Sequence, residues 1–487
     1  MLVPLLALSV AAALFECRGP SAPRLPSNPA PVLGARLRAA PAWTAAQRAH
    51  LRTTLDVAFA PALGRASGWS LAVLSADGRA LYANRAADAV TPASTQKLIV
   101  ASAALAELGS HFRYHTDMLA ERTVDSDGAL HGDLWLAGSG DPSLRSPDLR
   151  AGVAHLATDG LRRIDGGIVV DATIIKDPEI NVLWNADDAN EDFEAPTSGI
   201  SLDEDTVEFH VIGTAAGQPA AVAFTPASAA VRFSGQVLAS TQGDDVIVAA
   251  TGTPNEFVVS GEIPAGVEEK FWVPVHGIAR YAGAVLERMF AQAHVALGAR
   301  VRIGATPLDA AILWDHRSQP LGDLVARMLY VSDNHYAEQF LRTMGALVAA
   351  AGDDASGLQI ERTFLSRQRI PTPGLHLVDG SGLAHADRVA AITLATILSD
   401  AQIGDLGSAL YGLLPQGGRQ GTLKEYDFTT ALGRVRAKSG HLYGVGALAG
   451  YVNTYHHGRV VFAFLIDGAP DDADAAIVRA VDRLATL

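Results

Sequence analysis

Between about Tyr114 and Val301 the sequence changes texture, and this interruption restricts the possible fold more than any other feature. Short stretches there alternate apolar and polar residues, as in Thr206-Val207-Glu208-Phe209-His210-Val211. Others run apolar, as in Val246-Ile247-Val248 and Phe257-Val258-Val259, with Gly, Asp and Pro clusters between them. A period of two puts successive side chains on opposite faces of a strand, so the region is predicted to be β-rich. Both flanks read differently. A helix is expected near Thr44 to Phe59, then a hairpin from Trp69 to Leu74 and Ala80 to Ala83 around Asp77-Gly78. Leu98, Ala101, Leu105 and Leu108 then fall on one helical face until Gly109. Helical spacing returns at Tyr281 to Ala293, Leu321 to Leu347 and Val389 to Leu398. The chain closes on a hairpin, Leu448 to Thr454 and Val460 to Ile466, and a helix carrying Ile477, Val478, Val481 and Leu484. The pattern predicts an α/β (α+β) domain split in sequence by an insert: 42–113 and 311–487 form the domain, and 114–310 the β-rich insert.

With 487 residues, 49% of them hydrophobic, the chain can bury large cores. A formal net charge of -14 repels a phosphate backbone, which excludes nucleic acid as an expected partner. Met1 to Phe15 is an apolar run too short to span a bilayer, which needs about 20 residues. With Ala11, Ala12 and Ala13 as a cleavage zone, residues 1–20 read as a signal sequence and 21–41, rich in Pro, Ala and Ser, as a linker. The expected location is periplasmic or otherwise extracytoplasmic, by export, with no transmembrane span. Cys17 is the single cysteine, so no intrachain disulfide is possible. Glu16 before it fits a lipoprotein cleavage site poorly.

Three short motifs follow in order: Ser94-Thr95-Gln96-Lys97 opening a helix, Ser332-Asp333-Asn334 just inside a helical stretch, and Lys438-Ser439-Gly440 before a strand. Residues three apart on a helix lie about 5 to 6 Å from each other, so the Lys97 amine can reach the Ser94 hydroxyl. A serine becomes a useful nucleophile only when a neighbouring base takes its proton. Lysine can be that base if its pKa falls from about 10.4 towards 7, at a cost of roughly 4 to 5 kcal/mol. Desolvation and a second cation can meet that cost, and Lys438 is the expected cation. The Ser94 backbone N–H, at a helix start, points to where an oxyanion would form. Each motif alone is common; the ordered trio is the pattern of penicillin-binding proteins and class A β-lactamases, with Ser439 in place of Thr.

Other chemistries lack their signatures. The chain has no G-x-S-x-G elbow and no H-E-x-x-H, and no Gly-Lys-Ser/Thr follows Gly138-Ser139-Gly140. His111 and His115 read as structural, and His456-His457 as a solvated hairpin tip. No cofactor and no metal are implied.

Longer stretches resemble one family, the low-molecular-mass class C penicillin-binding proteins, or S13-type D-alanyl-D-alanine carboxypeptidases and endopeptidases. TPASTQKLIVASAAL is similar to its nucleophile segment, LAGSGDPSL to its Gly-Gly-Asp-Pro segment and SDNHYAEQFLRTMG to its second motif. VDGSGL, RQGTLKEY and RVRAKSGHLYGVGALAGYV resemble later segments, in order, to the C-terminus. The resemblance implies a penicillin-binding transpeptidase/β-lactamase-like domain interrupted by one or two small inserted domains. It implies Ser94 as acylated nucleophile, Lys97 as general base, and Ser332 as a proton relay towards the leaving amine. Asn334 would bind a substrate amide, and Lys438 would hold the pKa of Lys97 down. Ser439 would bind the terminal carboxylate beside Gly440, and the amides of Ser94 and His441 would form the oxyanion hole. His441 stands where the family usually has Thr or Ser, His385 where it often has Arg, and Tyr443 where Gln occurs. Asp141 matches an acidic residue that in some members reads a diaminopimelate amine. The implied partners are peptidoglycan stem peptides and β-lactams. Two rivals stand beside this reading: a β-lactamase or esterase on the same scaffold, disfavoured by the long insert, and a non-catalytic wall-binding protein damaged at His441.

Overall fold

The computed structural model describes residues 43–487, apart from 76, 177, 186–190, 195, 404–406 and 469. The expected signal sequence and linker lie outside the described residues. Helix Ala45–Leu63 opens on a capping box: the Thr44 hydroxyl accepts from Gln47 N at 3.2 Å, and the Gln47 side chain accepts from Thr44 N at 2.8 Å. Its buried Leu51, Leu55, Phe59 and Ala62 face a five-stranded antiparallel sheet. The strand order is Ala80–Asn84, Gly68–Leu74, Arg459–Asp467, Val445–Asn453, Val435–Leu442.

Both faces of this sheet are covered, and the pleat sorts them. Leu71, Val73, Leu448, Phe462, Phe464 and Ile466 point to helices Ala45–Leu63 and Pro470–Ala485. Ala72, Ala447, Ala449 and Ala463 point the other way, into a helical layer of Lys97–Glu107, Leu321–Val331, Asn334–Ala349, Asp354–Arg367 and Ala391–Ile403. Alanines on that face make a shallow floor, and the turn Ala93–Gln96 packs on it against Val435–Leu442 and Val445–Asn453. The expected terminal hairpins and helices are all present.

The intervening residues build a second core. A mixed sheet runs Arg302–Ile303, Ile168–Asp171, Leu134–Gly138, His115–Ala120, Ala311–Arg317, with helices Ser146–Thr158 and Ile278–Gln292 packed beside it. Smaller three-stranded sheets surround Phe209, whose ring lies 5.7 Å from Phe224, 5.8 Å from Phe233 and 5.4 Å from Phe257.

Four differences from the sequence reading have physical causes. Helix Ser146–Thr158 was hidden in strand-like surroundings, although Pro147 in its first turn, Asp148 accepting from Arg145 N, and Leu149, Val153 and Leu156 on one face all mark it. The helical stretch from Leu321 to Leu347 is broken at Ser332, which takes left-handed geometry (φ 66). Strand Ala311–Arg317 pairs with His115–Ala120, so we propose that the insert ends after Arg317 rather than at 310. His457 is buried rather than solvated, its ring stacked 4.2 Å from Trp43 and its Nε2 3.2 Å from Gln47 Nε2.

Candidate active site

The turn bearing Ser94, the expected nucleophile, is a 3-10 segment, Ala93–Gln96, running into helix Lys97–Glu107. From Lys97 to Leu105 every residue is buried, so the helix is enclosed on all sides rather than amphipathic. Lys97 is therefore carried fully into the interior with its amine. Its Nζ lies 2.8 Å from Ser94 Oγ, 2.5 Å from Asn334 Oδ1 and 2.9 Å from the Ser381 carbonyl. A neutral amine has two N–H groups and one lone pair. Asn334 Oδ1 and Ser381 O take the two N–H groups, and the lone pair is left facing the Ser94 hydroxyl, which can donate to it.

Burial is the largest influence on Lys97 and pushes it down to about 8, against Asp379, Glu338 and Asp333, which favour the ammonium form. From the ordinary 10.5, that is a net cost of about 3 kcal/mol for the charged amine. The sequence reading gave Lys438 the task of lowering Lys97. Lys438 is itself held well below its usual range, first by burial and then by Lys97; the repulsion between two such ammonium groups is mutual, so each favours the neutral form of the other.

Ser332 and Asn334 owe their places to the helix break. Ser332 ends Leu321–Val331, and the Asp333 carboxylate caps the next helix by accepting from Tyr336 N at 3.1 Å. The turn projects Ser332 and Asn334 from between two helices, where a continuous helix would have placed them on its side. Lys438 Nζ donates to Ser332 Oγ at 2.8 Å and to the Ser439 carbonyl at 2.6 Å. Ser94, Lys97, Asn334, Ser332 and Lys438 thus form two hydrogen-bonded groups, from segments far apart in the chain.

Strand Val435–Leu442 is the edge of the sheet, and Ala437 N donates outward to Pro415 O at 3.2 Å. Strand amides alternate between edges, so those of Ser439 and His441 also face outward. A Cβ on Gly440 would lie 3.0 Å from Pro92 O, Ser94 N and Thr95 N, so only glycine lets this edge approach the nucleophile turn so closely. The Ser439 hydroxyl is 2.7 Å from that of Thr422. The His441 ring is turned to the terminal helix: its Nε2 is 2.9 and 3.0 Å from the Asp474 carboxylate and 3.2 Å from the Tyr426 hydroxyl.

Asp141 stands apart from this cluster. It is buried, accepts from Ser143 N at 2.8 Å and Ser143 Oγ at 2.6 Å, and lies 3.8 Å from His316. Burial raises its pKa. Those partners all belong to the insert, and none joins it to Ser94. Sequence reasoning missed several other groups. The Phe193 carbonyl accepts from Asn334 Nδ2 at 2.9 Å. Trp184 Nε1 donates to Asp379 Oδ2 at 2.9 Å, and Gln96 Nε2 to the Asp379 carbonyl at 2.6 Å. Glu204 accepts from both Arg145 and Arg327, and Arg327 in turn lies 3.6 Å from Asp333. The VDGSGL stretch, readable only as a family-like segment, supplies the Ser381 carbonyl to Lys97. Gly382 at φ +77 keeps it against the nucleophile turn, where a Cβ would lie 2.1 Å from Ala93 O.

Residues 51–487 match the model of the D-Ala-D-Ala carboxypeptidase 3 (S13) family. The chain is 30% identical over 482 residues to a D-alanyl-D-alanine carboxypeptidase of Actinomadura sp., covering 94% of this chain and 88% of that protein. It is 26% identical over 393 residues to D-alanyl-D-alanine carboxypeptidase DacB of Haemophilus influenzae, covering 77% of this chain and 80% of that protein. Among solved structures, penicillin binding protein 4 (dacB) of Haemophilus influenzae shares the fold, with a TM-score of 0.77 and 23% identity, over 88% of this chain and 98% of that one. The same protein complexed with a β-lactam matches with a TM-score of 0.71 and 22% identity, over 87% and 98%.

Proposed function

The chain belongs to the D-Ala-D-Ala carboxypeptidase 3 (S13) family, and from that premise we propose that Ser94 is the nucleophile on which it forms its acyl-enzyme. The protein is a serine-type D-Ala-D-Ala carboxypeptidase, a hydrolase that binds penicillin. Neutral Lys97 takes the Ser94 proton, and Ser94 Oγ attacks the carbonyl of the penultimate D-alanine. The amides of Ser94 and His441 receive the oxyanion; one such donor is typically worth about 10² to 10³ in rate. Ser332, hydrogen-bonded to Lys438, relays to the departing amine the proton that Lys97 took from Ser94, so that both lysines end as they began. Asn334 binds a substrate amide through its side chain, and Ser439 takes the terminal carboxylate. Water then hydrolyses the ester. A β-lactam acylates the same serine, and a 4,3 cross-link fits the same chemistry as an endopeptidase substrate.

The observation that carries this reading is the 2.8 Å contact between the fully buried Lys97 amine and Ser94 Oγ. Mass spectrometry after penicillin treatment tests it: the adduct is expected on the Ser94 peptide and absent in Ser94→Ala at an unchanged melting temperature. An unmodified Ser94 peptide in the native protein sinks the assignment. Defined monomeric and cross-linked muropeptides then separate D-alanine release from cross-link cleavage. The working place is extracytoplasmic, as for cell-wall peptidases of this family; periplasmic export directed by residues 1–20 is part of this proposal. We assign Asp141 to the substrate's third residue only through the family segment that contains it.

A further inference from the structure

Behind Lys97, on the side away from Ser94, lies a buried acid that the mechanism above does not use. Glu338 follows Asn334 by one turn on helix Asn334–Ala349 and is almost wholly buried. Its carboxylate accepts from Gly380 N at 3.0 and 3.1 Å and from Ser381 N at 2.8 Å. The peptide unit that follows presents its Ser381 carbonyl to Lys97 Nζ at 2.9 Å, while its Gly382 N–H donates to Asp379 Oδ1 at 2.6 Å. One helix therefore governs both acceptors of the Lys97 amine, Asn334 directly and Ser381 through the turn.

We propose that Glu338 is a positioning residue for the general base: by clamping the Gly380 and Ser381 amides it aims the Ser381 carbonyl at Lys97, so that the Lys97 lone pair points to Ser94. The inference rests on the assignment of Ser94 and Lys97 as nucleophile and base. A carboxyl group suits the position, because two backbone N–H donors converge on its oxygens. Were the turn released, the amine could rotate about Cε–Nζ and present an N–H to the hydroxyl, which does nothing to remove its proton.

The clamp also has an electrostatic consequence. As an anion Glu338 favours the Lys97 ammonium, together with Asp379 and Asp333, against burial. Around Glu338 stand Asp379, Asp354 and Glu361, and burial, then these charges, push it up to about 8. Glutamine keeps an oxygen for both amides but removes the charge. Below about pH 8 Glu338 is already mostly protonated, so there the substitution leaves the Lys97 charge balance nearly as it was and tests the clamp alone.

The test is the rate of labelling by a fluorescent penicillin as a function of pH, with melting temperatures, for the native protein, Ser94→Ala, Glu338→Gln and Glu338→Ala. Glu338→Gln is expected to keep the plateau rate within about threefold and the acid limb within about half a pH unit of the native one. Glu338→Ala is expected to lose about tenfold or more at the plateau, a loss that glutamine does not suffer. A plateau rate lost in Glu338→Gln as in Glu338→Ala overturns the proposal, as does a native plateau rate in Glu338→Ala; should the alanine variant fail to fold, the glutamine plateau decides. A native protein that takes no label refutes the Ser94 reading itself. Labelling that depends on Ser94, with both Glu338 variants behaving as native, refutes only the role of Glu338.

Discussion

The insert packs Phe209 among Phe224, Phe233 and Phe257, with valines and leucines around them. The catalytic layer buries Lys97, Lys438, Gln96, Glu338, Asp379 and Asp387 in the space of a few turns. Burying a charge is costly unless partners replace its water, and here backbone amides, carbonyls and opposite charges do so. Among the described residues, the fully buried charged side chains of the insert are Asp141, Glu194 and Asp205, and the last two lie in the stretch that runs beside helix Asn334–Ala349. The contrast teaches that the two cores do different jobs. One holds shape by apolar area alone; the other holds an amine in a state that water would not allow. The insert takes part in the second job only along that one edge.

Three substitutions probe this division, beginning with the largest effect. Gly440→Ala, in the catalytic layer, drives a Cβ into Ser94 N and Thr95 N at 3.0 Å. Acylation by a fluorescent penicillin is expected to fall about 10² to 10³-fold as the oxyanion site opens; a near-native rate would mean that this edge does not serve the nucleophile. Glu204→Ala tests the shared edge. It leaves Arg145 and Arg327 without their common carboxylate and frees the turn bearing Ser332 and Asn334. A fall of about tenfold in acylation is expected, with the insert still folded by its own core. If the rate is unchanged, the insert is a mere appendage and the comparison fails. His131→Ala lies on the far surface of the insert, where the ring bridges Asp125 at 2.9 Å and Asp165 at 2.6 Å in solvent. No change in acylation is expected, since exposed pairs of this kind contribute little; a measurable loss would extend the influence of the insert beyond its edge.

Much of the catalytic group could be read before any coordinates, and the reason is locality. Ser94 and Lys97 are one helical turn apart, so their meeting follows from helix geometry. Asp333 caps the helix that Asn334 begins, and that cap is also where the helical stretch breaks and exposes Ser332 and Asn334. Helix Ser146–Thr158 was overlooked although its signals were present, because the alternating segments on either side dominated the reading.

Other parts could not have been read at all. Glu338, Ser381, Trp184, Phe193 and Glu204 carry no motif of their own chemistry, and each acts across a long stretch of chain; Gln96 and Asp379, for example, are 283 positions apart. Composition and period pointed to a split α/β domain, the spacing of three motifs to an activated serine, and the longer family-like stretches to the reaction. Which carbonyl receives the Lys97 hydrogens, which acid holds that carbonyl in place, and where the insert touches the catalytic turn were decided only by tertiary structure. Hydrogen-bond direction and desolvation are properties of packed atoms, and a linear order of residues does not contain them.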